Sequence, residues 1–320
     1  MTVWATTAIL LGGLLVILAI GTEIAVGIGI MAAIGILLFT DQPLQQFLWT
    51  AFNETNSFTL TAVPLFVFMG TMFANTGVVR KLFSGVDKLL GSLSGGLAMT
   101  VIGSSAVFGA MSGSSIAAAA TFGKISFPEM EEQGYNHRLA LGSIAMGGTL
   151  SVLIPPSIIL VVYGQWLNVS VSRLFAAALI PGVIFALLLM LTVWVRVKLN
   201  PSLAPRSPSY GWRVKLLAIK EISPWLGIII LVLGVIFGGI MTPTEAASLG
   251  AFLGIAVALA YRQMSFRALK DSALTALKIS AMLALVVMSA RMLAHVFLFT
   301  GFTEEVSSFM LGLPFGKYGT

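Results

Sequence analysis

Two stretches of this chain place helix-breaking residues inside long apolar runs, and that combination narrows the possible folds more than any other feature. The first is Gly109-Ala-Met-Ser-Gly-Ser-Ser-Ile116 and the second Gly147-Gly-Thr-Leu-Ser-Val-Leu-Ile-Pro-Pro-Ser157. In water they would read as two loops. In a bilayer, unpaired N–H and C=O groups cannot face lipid, so irregular backbone at membrane depth must be buried in protein or line a wet cavity. Two such breaks close in sequence predict a binding site near the membrane midplane, built from discontinuous helices.

The membrane premise rests on composition. Hydrophobic residues make up 58% of the 320, charged residues 9%, and mean hydropathy is +0.99. Soluble domains carry about 25% charged residues, and a single water-soluble core could not hide this much apolar surface. The absence of cysteine excludes disulfide scaffolds and thiolate metal sites. The net charge of +6 reads as membrane orientation, not as a nucleic-acid surface. Residues 1–20 lack a basic leader and a small-residue cleavage site, so they read as a retained span.

Apolar runs near the roughly 20 residues needed to cross the bilayer occur at 4–20, 24–40, 58–78, 139–165 (broken at 147–156), 174–195, 222–241, 246–261 and 273–299. Between them lie 41–57, a basic connection with Arg80, Lys81 and Lys88, a charged loop from Lys124 to Arg138, and a connection carrying Arg196, Lys198, Arg206, Arg213, Lys215 and Lys220. The positive-inside rule puts this last connection in the cytoplasm, along with 80–88 and 262–272. The segment 41–57, Thr242–Glu245, Gly301–Glu305 and the N-terminus then fall outside. Parity forces 89–123 to enter and leave on one face. Two full spans need about 40 residues and 35 are present, so this segment is predicted to be a re-entrant hairpin entering from the cytoplasm, with its tip at Ser112–Ser115.

A weak repeat is visible. Phe73-Ala-Asn-Thr-Gly77 resembles Phe297-Leu-Phe-Thr-Gly301, and Thr22-Glu23-Ile-Ala25 resembles Thr244-Glu245-Ala-Ala247. The members of each pair fall on opposite faces, the inverted symmetry of many secondary transporters. A second hairpin is then expected to begin near residue 315, and the sequence reads as a truncated piece of a longer protein.

The two breaks offer a definite chemistry. The hairpin tip supplies Ser112, Gly113, Ser114 and Ser115; the broken span supplies Gly147, Gly148, Thr149, Ser151, Pro155, Pro156 and Ser157. Pro155 and Pro156 lack amide hydrogens and so release carbonyls one turn earlier. Unwound carbonyls and hydroxyls are hard, neutral oxygen donors suited to a monovalent cation such as Na⁺. Half-helix N-termini beside them aim N–H groups and positive dipole ends at an anionic group. The competing reading of small residues in membrane helices is close packing, and of proline a kink.

These motifs carry a resemblance. Ala110-Met-Ser-Gly-Ser-Ser115, Pro128-Glu-Met130, Gly134-Tyr135, Gly148-Thr-Leu150 and Leu153-Ile-Pro-Pro-Ser157 resemble the large membrane subunit of TRAP (tripartite ATP-independent periplasmic) transporters, DctM-like. Pro64-Leu-Phe66, Met69-Gly70 and Thr242-Pro-Thr-Glu-Ala-Ala247 fit it too. The resemblance runs along essentially the whole chain. It implies an all-α polytopic membrane protein, an inverted-repeat, elevator-type secondary transporter with a re-entrant helical hairpin and, here, a truncated second repeat. It implies Na⁺-driven uptake of an organic acid, a C4-dicarboxylate or a sialic-acid-like carboxylate, across the bacterial inner membrane. The partners it implies are a periplasmic (DctP-like) binding protein and a small (DctQ-like) membrane subunit. The Na⁺ site would fall on Ser112, Gly113, Ser114, Ser115, Gly148, Thr149, Pro155 and Pro156, and substrate contact on Ser114, Ser115 and Ser157. The expected organisation is scaffold helices at 1–88, a transport core at 89–165, a span and basic connection at 166–221, and second-repeat scaffold helices at 222–320. Ser151 departs from the family, which more often has Gly there, and the family's second hairpin and Thr-Pro-Pro-Val-Gly stretch are absent.

Arg291 and His295 share one helical face within 273–299; intramembrane ionisable groups are functional candidates, although Arg also snorkels to headgroups. Glu245 after Pro243 reads as a helix cap. An enzyme is disfavoured: there is no Cys and no His-Glu-x-x-His, and the two histidines, His137 and His295, sit in a predicted loop and a remote span, so a dyad with Ser112 would need His137 to fold back into the membrane. A channel is the stronger rival, because re-entrant loops also build selectivity filters.

Overall fold

Backbone that cannot bond to water must bond to itself, and the described residues form helices and turns with no strand. The computed structural model describes residues 2–205 and 210–311. In chain order the helices are α1 (Val3–Ala19), α2 (Ile24–Phe39), α3 (Leu44–Thr55), α4 (Ala62–Asn75), α5 (Val79–Leu90), α6 (Gly96–Ser112), α7 (Ser115–Glu132), α8 (His137–Leu153), α9 (Ile158–Trp166), α10 (Val171–Leu199), α11 (Trp212–Phe237), α12 (Pro243–Ala260), α13 (Phe266–Phe299) and α14 (Phe302–Leu311). Single 3₁₀ turns, Thr59–Thr61 and Pro201–Leu203, precede α4 and follow α10.

Among the described residues α10, α11, α12 and α13 are each long and apolar enough to cross a membrane. Two bent pairs reach the same standard when joined. Thr59–Asn75 with α5 is bent by 75°, and α8 with α9 by 41°. The chain is therefore a polytopic α-helical membrane protein.

The helices sort into two compact units. The first comprises 1–57 and 279–320, the second 58–278, so α13 contributes to both. In the first unit Leu10, Met31, Ile36, Phe47 and Val296 form a buried cluster. Gly35 lets α2 lie against Val296, where an added Cβ would come within 2.7 Å of Cγ1. His295 sits edge-on to Phe47 and beside Phe299, a packing role for one of the ionisable residues noted in this span.

The second unit wraps α4, α5, α8 and α10 around α6. Here the short, partly amphipathic, basic connection read from the sequence is itself a helix, α5. Its apolar side, Val79, Leu82, Phe83 and Val86, is buried, while Lys88 reaches both Glu221 carboxylate oxygens at 2.7 and 2.8 Å. On α4, Asn75 donates to Ser272 Oγ at 3.0 Å.

Several expected boundaries shift, each for a physical reason. The segment 41–57, placed outside the spans, contains α3. The charged stretch from Lys124 is helical through Glu132, leaving only 133–136 as a turn; Gly134 closes it at φ +80°. The basic connection after Arg196 is short, because α10 continues to Leu199 and α11 begins at Trp212. Long charged side chains are good helix formers, so helices run on past the apolar boundary that hydropathy reads. Phe73–Gly77 and Phe297–Gly301 have similar helix endings, in which Gly77 and Gly301 take φ +69° and +79°; the preceding Thr76 hydroxyl donates to Met72 O at 2.7 Å and that of Thr300 to Phe297 O at 3.2 Å. The other pair is not alike. Glu23 precedes α2 without a side-chain cap bond, whereas Glu245 closes a capping box inside α12. Arg206 and the hairpin expected near residue 315 lie outside the described residues.

Candidate functional site

The site begins with the turn between α6 and α7. Ser112 is the last residue of α6, and Gly113 follows at φ +58°, its N–H bonded to Gly109 O at 2.8 Å. A left-handed φ is readily available only to glycine, so Gly113 is what allows the chain to turn here. Ser114 is extended and caps α7, its Oγ accepting from Ala117 N at 3.3 Å. The expected tip at 112–115 is thus the observed turn, and α6 and α7 pack along each other.

The second break is shorter than expected. Gly147, Gly148 and Thr149 lie inside α8, which ends only at Leu153; the irregular segment is Ile154–Ser157, with a cis bond between Pro155 and Pro156. Glycine is a poor helix former in isolation, but packing overrides that here. An added Cβ on Gly147 would meet Ser105 Oγ at 2.9 Å, and on Gly148 Ser115 O at 3.1 Å. The two glycines therefore let α8 approach α6 and α7, and the prolines end the helix. Pro155 and Pro156 supply no N–H to the carbonyls of Ser151 and Val152, their i−4 partners.

The two breaks meet. Space for a side chain on Gly113 is closed by Ile158 N at 2.9 Å, which brings the hairpin tip against the first amide of α9. Gly70 of α4 lies directly against Ser112. Around this junction Ser112, Ser151 and Ser157 are buried, and their hydroxyls have no hydrogen-bond partner. So are Ser104 and Ser105, about two turns down α6 from Ser112. Buried helical hydroxyls normally bond back along their own helix, as Ser126 and Ser143 do to Phe122 O and Leu139 O. Each unpaired one costs about 1–3 kcal/mol, so five in one region make a polar interior that an oxygen-seeking ligand would satisfy. Ser157 precedes α9 without capping its amides, leaving that helix N-terminus available to an anion.

The sequence-derived site residues divide accordingly. Ser112, Gly113, Pro155, Pro156 and Ser157 are buried at the junction; Ser114 and Ser115 are half-buried beside it, with Ser114 occupied as a cap. Gly148 faces α7 from within α8, and Thr149 is exposed with its hydroxyl donating to Met146 O at 2.7 Å. Thr149 is therefore turned away from the junction. Ser104 and Ser105 were not singled out from the sequence, because nothing in a lone Ser of a membrane helix separates site from packing; Gly70 and Gly109 stood in its motifs without a role. The donors placed at the junction are serine hydroxyls and backbone carbonyls, all neutral oxygens. That set fits a monovalent cation better than a divalent one.

An all-helical polytopic chain whose two discontinuous helical segments meet at buried, neutral oxygens belongs among membrane transport proteins with broken helices. Sequence comparison fixes the family. Residues 11–320 match the DctM component of the tripartite ATP-independent periplasmic transporters, and the chain belongs to that family. Its relatives are transporter permeases, not enzymes. It is 35% identical over 247 residues to the C4-dicarboxylate TRAP transporter large permease protein DctM of Vibrio cholerae, covering 77% of this chain and 54% of the relative. It is 32% identical to the isethionate TRAP transporter permease protein DctMQ of Oleidesulfovibrio alaskensis, covering 97% and 49%. It is 32% identical to the sialic acid TRAP transporter permease protein SiaT of Haemophilus influenzae, covering 73% and 38%. The chain thus spans about half the length of the first two relatives.

Proposed function

We propose that this chain supplies one half of the cation and substrate site of a sodium-coupled uptake system for a small organic acid. The observation that carries the reading is the junction of the two breaks, where Gly113 abuts Ile158 N and three buried serine hydroxyls are unpaired. Na⁺ would be held by the hydroxyls of Ser112 and Ser157 and the carbonyls freed by Pro155 and Pro156. A carboxylate would be met by the N-terminal amides of α9 and α7, beside Ser115. One neutral site then binds a cation and an anion together, which couples their affinities.

The named relatives favour a C4-dicarboxylate or a sialic-acid-like acid as substrate. In this reading a DctP-like periplasmic protein delivers the substrate, a DctQ-like subunit braces the scaffold, and the chain lies in the bacterial inner membrane with its N-terminus in the periplasm. The DctMQ name of one relative is consistent with that pairing. The stretch 89–165 is proposed to move as the transport core of an elevator, re-entrant from the cytoplasm. Segments 1–88 and 222–320 would act as inverted-repeat scaffold, joined through 166–221.

The test is uptake by proteoliposomes holding the full-length gene product with its partners. Saturable uptake that requires a Na⁺ gradient, with the Na⁺ needed for half-maximal rate rising about tenfold in Ser112→Ala, supports the proposal. Uptake indifferent to Na⁺, or unitary currents without saturation, refutes it.

A further inference from the structure

At the end of the second unit away from the serine junction, α6, α8 and α10 border a half-open cavity of about 140 Å³ lined by Ile102, Leu139, Leu189 and Val193 together with Arg138 and Arg196. Its two lining hydroxyls are already engaged along their own helices. Ser143 Oγ donates to Leu139 O at 2.8 Å and Thr192 Oγ1 to Leu188 O at 2.8 Å. What remains is an apolar slot ending in two guanidiniums. Both arginines are exposed, and among the described residues neither has a carboxylate partner. Glu131, in the preceding helix, lies 3.3 Å from His137 instead.

Helix electrostatics accounts for one arginine and not the other. Arg196 lies in the last turn of α10, where a cation complements the macrodipole. Arg138 lies in the first turn of α8, where a cation is repelled, and the amides there are already capped by Asn136 Oδ1, which accepts from Arg138 N and Leu139 N. The same end of α10 carries Lys198 over the Trp194 ring at 4.6 Å, the Trp-plus-cation signature of a membrane–water interface. We infer that this cavity is a binding site for an anionic phospholipid of the cytoplasmic leaflet. The phosphate is clamped between Arg138 and Arg196, and the first methylenes of an acyl chain lie against Ile102, Leu139, Leu189 and Val193. Arginine suits this role because its planar fork pairs with two phosphate oxygens at once, and basic pockets between membrane helices on that face select anionic headgroups.

The inference depends on the membrane reading and its charge-based orientation, and not on what the protein transports. The full-length protein, purified in detergent, is titrated with phosphatidylglycerol, phosphatidylcholine and inorganic phosphate, and bound lipid is counted by native mass spectrometry. Phosphatidylglycerol is expected to bind in preference to phosphatidylcholine, and millimolar phosphate not to displace it. At about 1 kcal/mol per basic residue, R138Q/R196Q weakens its binding about 30-fold, and Arg213→Gln leaves it unchanged. Thr192→Trp, which fills the cavity and leaves both arginines, gives a comparable loss should the double variant fold poorly. Equal retention in R138Q/R196Q and in T192W overturns the site. Displacement by free phosphate, or equal binding of phosphatidylcholine, overturns its assignment to an anionic lipid.

Discussion

Gly109 and Ser151 touch where α6 crosses α8: a Cβ on Gly109 would lie 2.5 Å from both Cα and Oγ of Ser151. No rotamer change can clear a backbone atom, so the helices must separate. Gly109→Ala is expected to lower stability by about 1–3 kcal/mol, as overpacking does, and Gly109→Val by more. Gly227→Ala on α11, where an added Cβ meets nothing within 4 Å, should be neutral or stabilising by up to about 1 kcal/mol. Melting temperatures in detergent check both; equal effects of the two alanines would show that the crossing is looser than described.

The unpaired hydroxyl of Ser157 makes stability and ion binding move in opposite directions. Removing a buried group that has no partner relieves a penalty of about 1–3 kcal/mol, so Ser157→Ala should melt higher than the parent without Na⁺. Na⁺ that binds only the folded protein stabilises it as its concentration rises past Kd, so the parent should gain stability in NaCl relative to KCl. That gain should be absent in Ser157→Ala. An undiminished sodium-specific shift in the variant would remove Ser157 from the ion site.

Much of this arrangement is legible in the residues, and the limits are physical. The hairpin tip follows from parity and from Gly113, whose left-handed φ no bulky residue takes up readily. Likewise Pro155 and Pro156 mark where α8 must stop. What could not be read was how far the helix persists before them. Gly147-Gly148-Thr149 looks like a break by propensity, yet the contacts of Gly147 with Ser105 and of Gly148 with Ser115 keep it helical. Those contacts join residues about 30–40 positions apart, and local pattern carries no such information. For the same reason Ser104 and Ser105 do not stand out in the sequence. Only the absence of a bond back along their own helix sets them apart.

Thr242 tests the reading of a cap from sequence. Its Oγ1 accepts from Glu245 N at 3.3 Å, the Glu245 carboxylate accepts from Thr242 N at 2.8 Å, and Pro243 opens α12. Thr242→Ala should destabilise the protein by about 1 kcal/mol, and Thr242→Ser should restore most of it because the hydroxyl is what caps. If both variants melt alike, the methyl group rather than the hydroxyl is what α12 needs.

Asp87 gathers the titrating groups at the ends of α5 and α7. It accepts from Tyr210 Oη at 2.8 Å and from Thr100 Oγ1 at 3.4 Å. Burial, then the bond to Asp87, then the charges of Asp87 and Glu129 push the Tyr210 phenol up to about 12. A phenol whose folded pKa exceeds its unfolded value near 10 stabilises the protein fully below that value, and the benefit is lost as pH rises through about 12. Tyr210→Phe should therefore flatten the alkaline fall in melting temperature between pH 9 and about 12. Glu129 moves in the same direction for a related reason. Partial desolvation of this surface residue first, then Asp87 and Glu132, raise its carboxyl above the ordinary value. Folding thus favours its protonated form, and stability is lost as pH rises from the unfolded carboxyl range through the raised one. Glu129→Gln keeps the shape without the charge, so it should raise the melting temperature at neutral pH and change it little in acid below that range. Melting curves of the parent and both variants across the pH range decide the matter. A Glu129→Gln variant no more stable than the parent at neutral pH would mean that the carboxylates are screened from one another, and that Asp87 acts on Tyr210 alone.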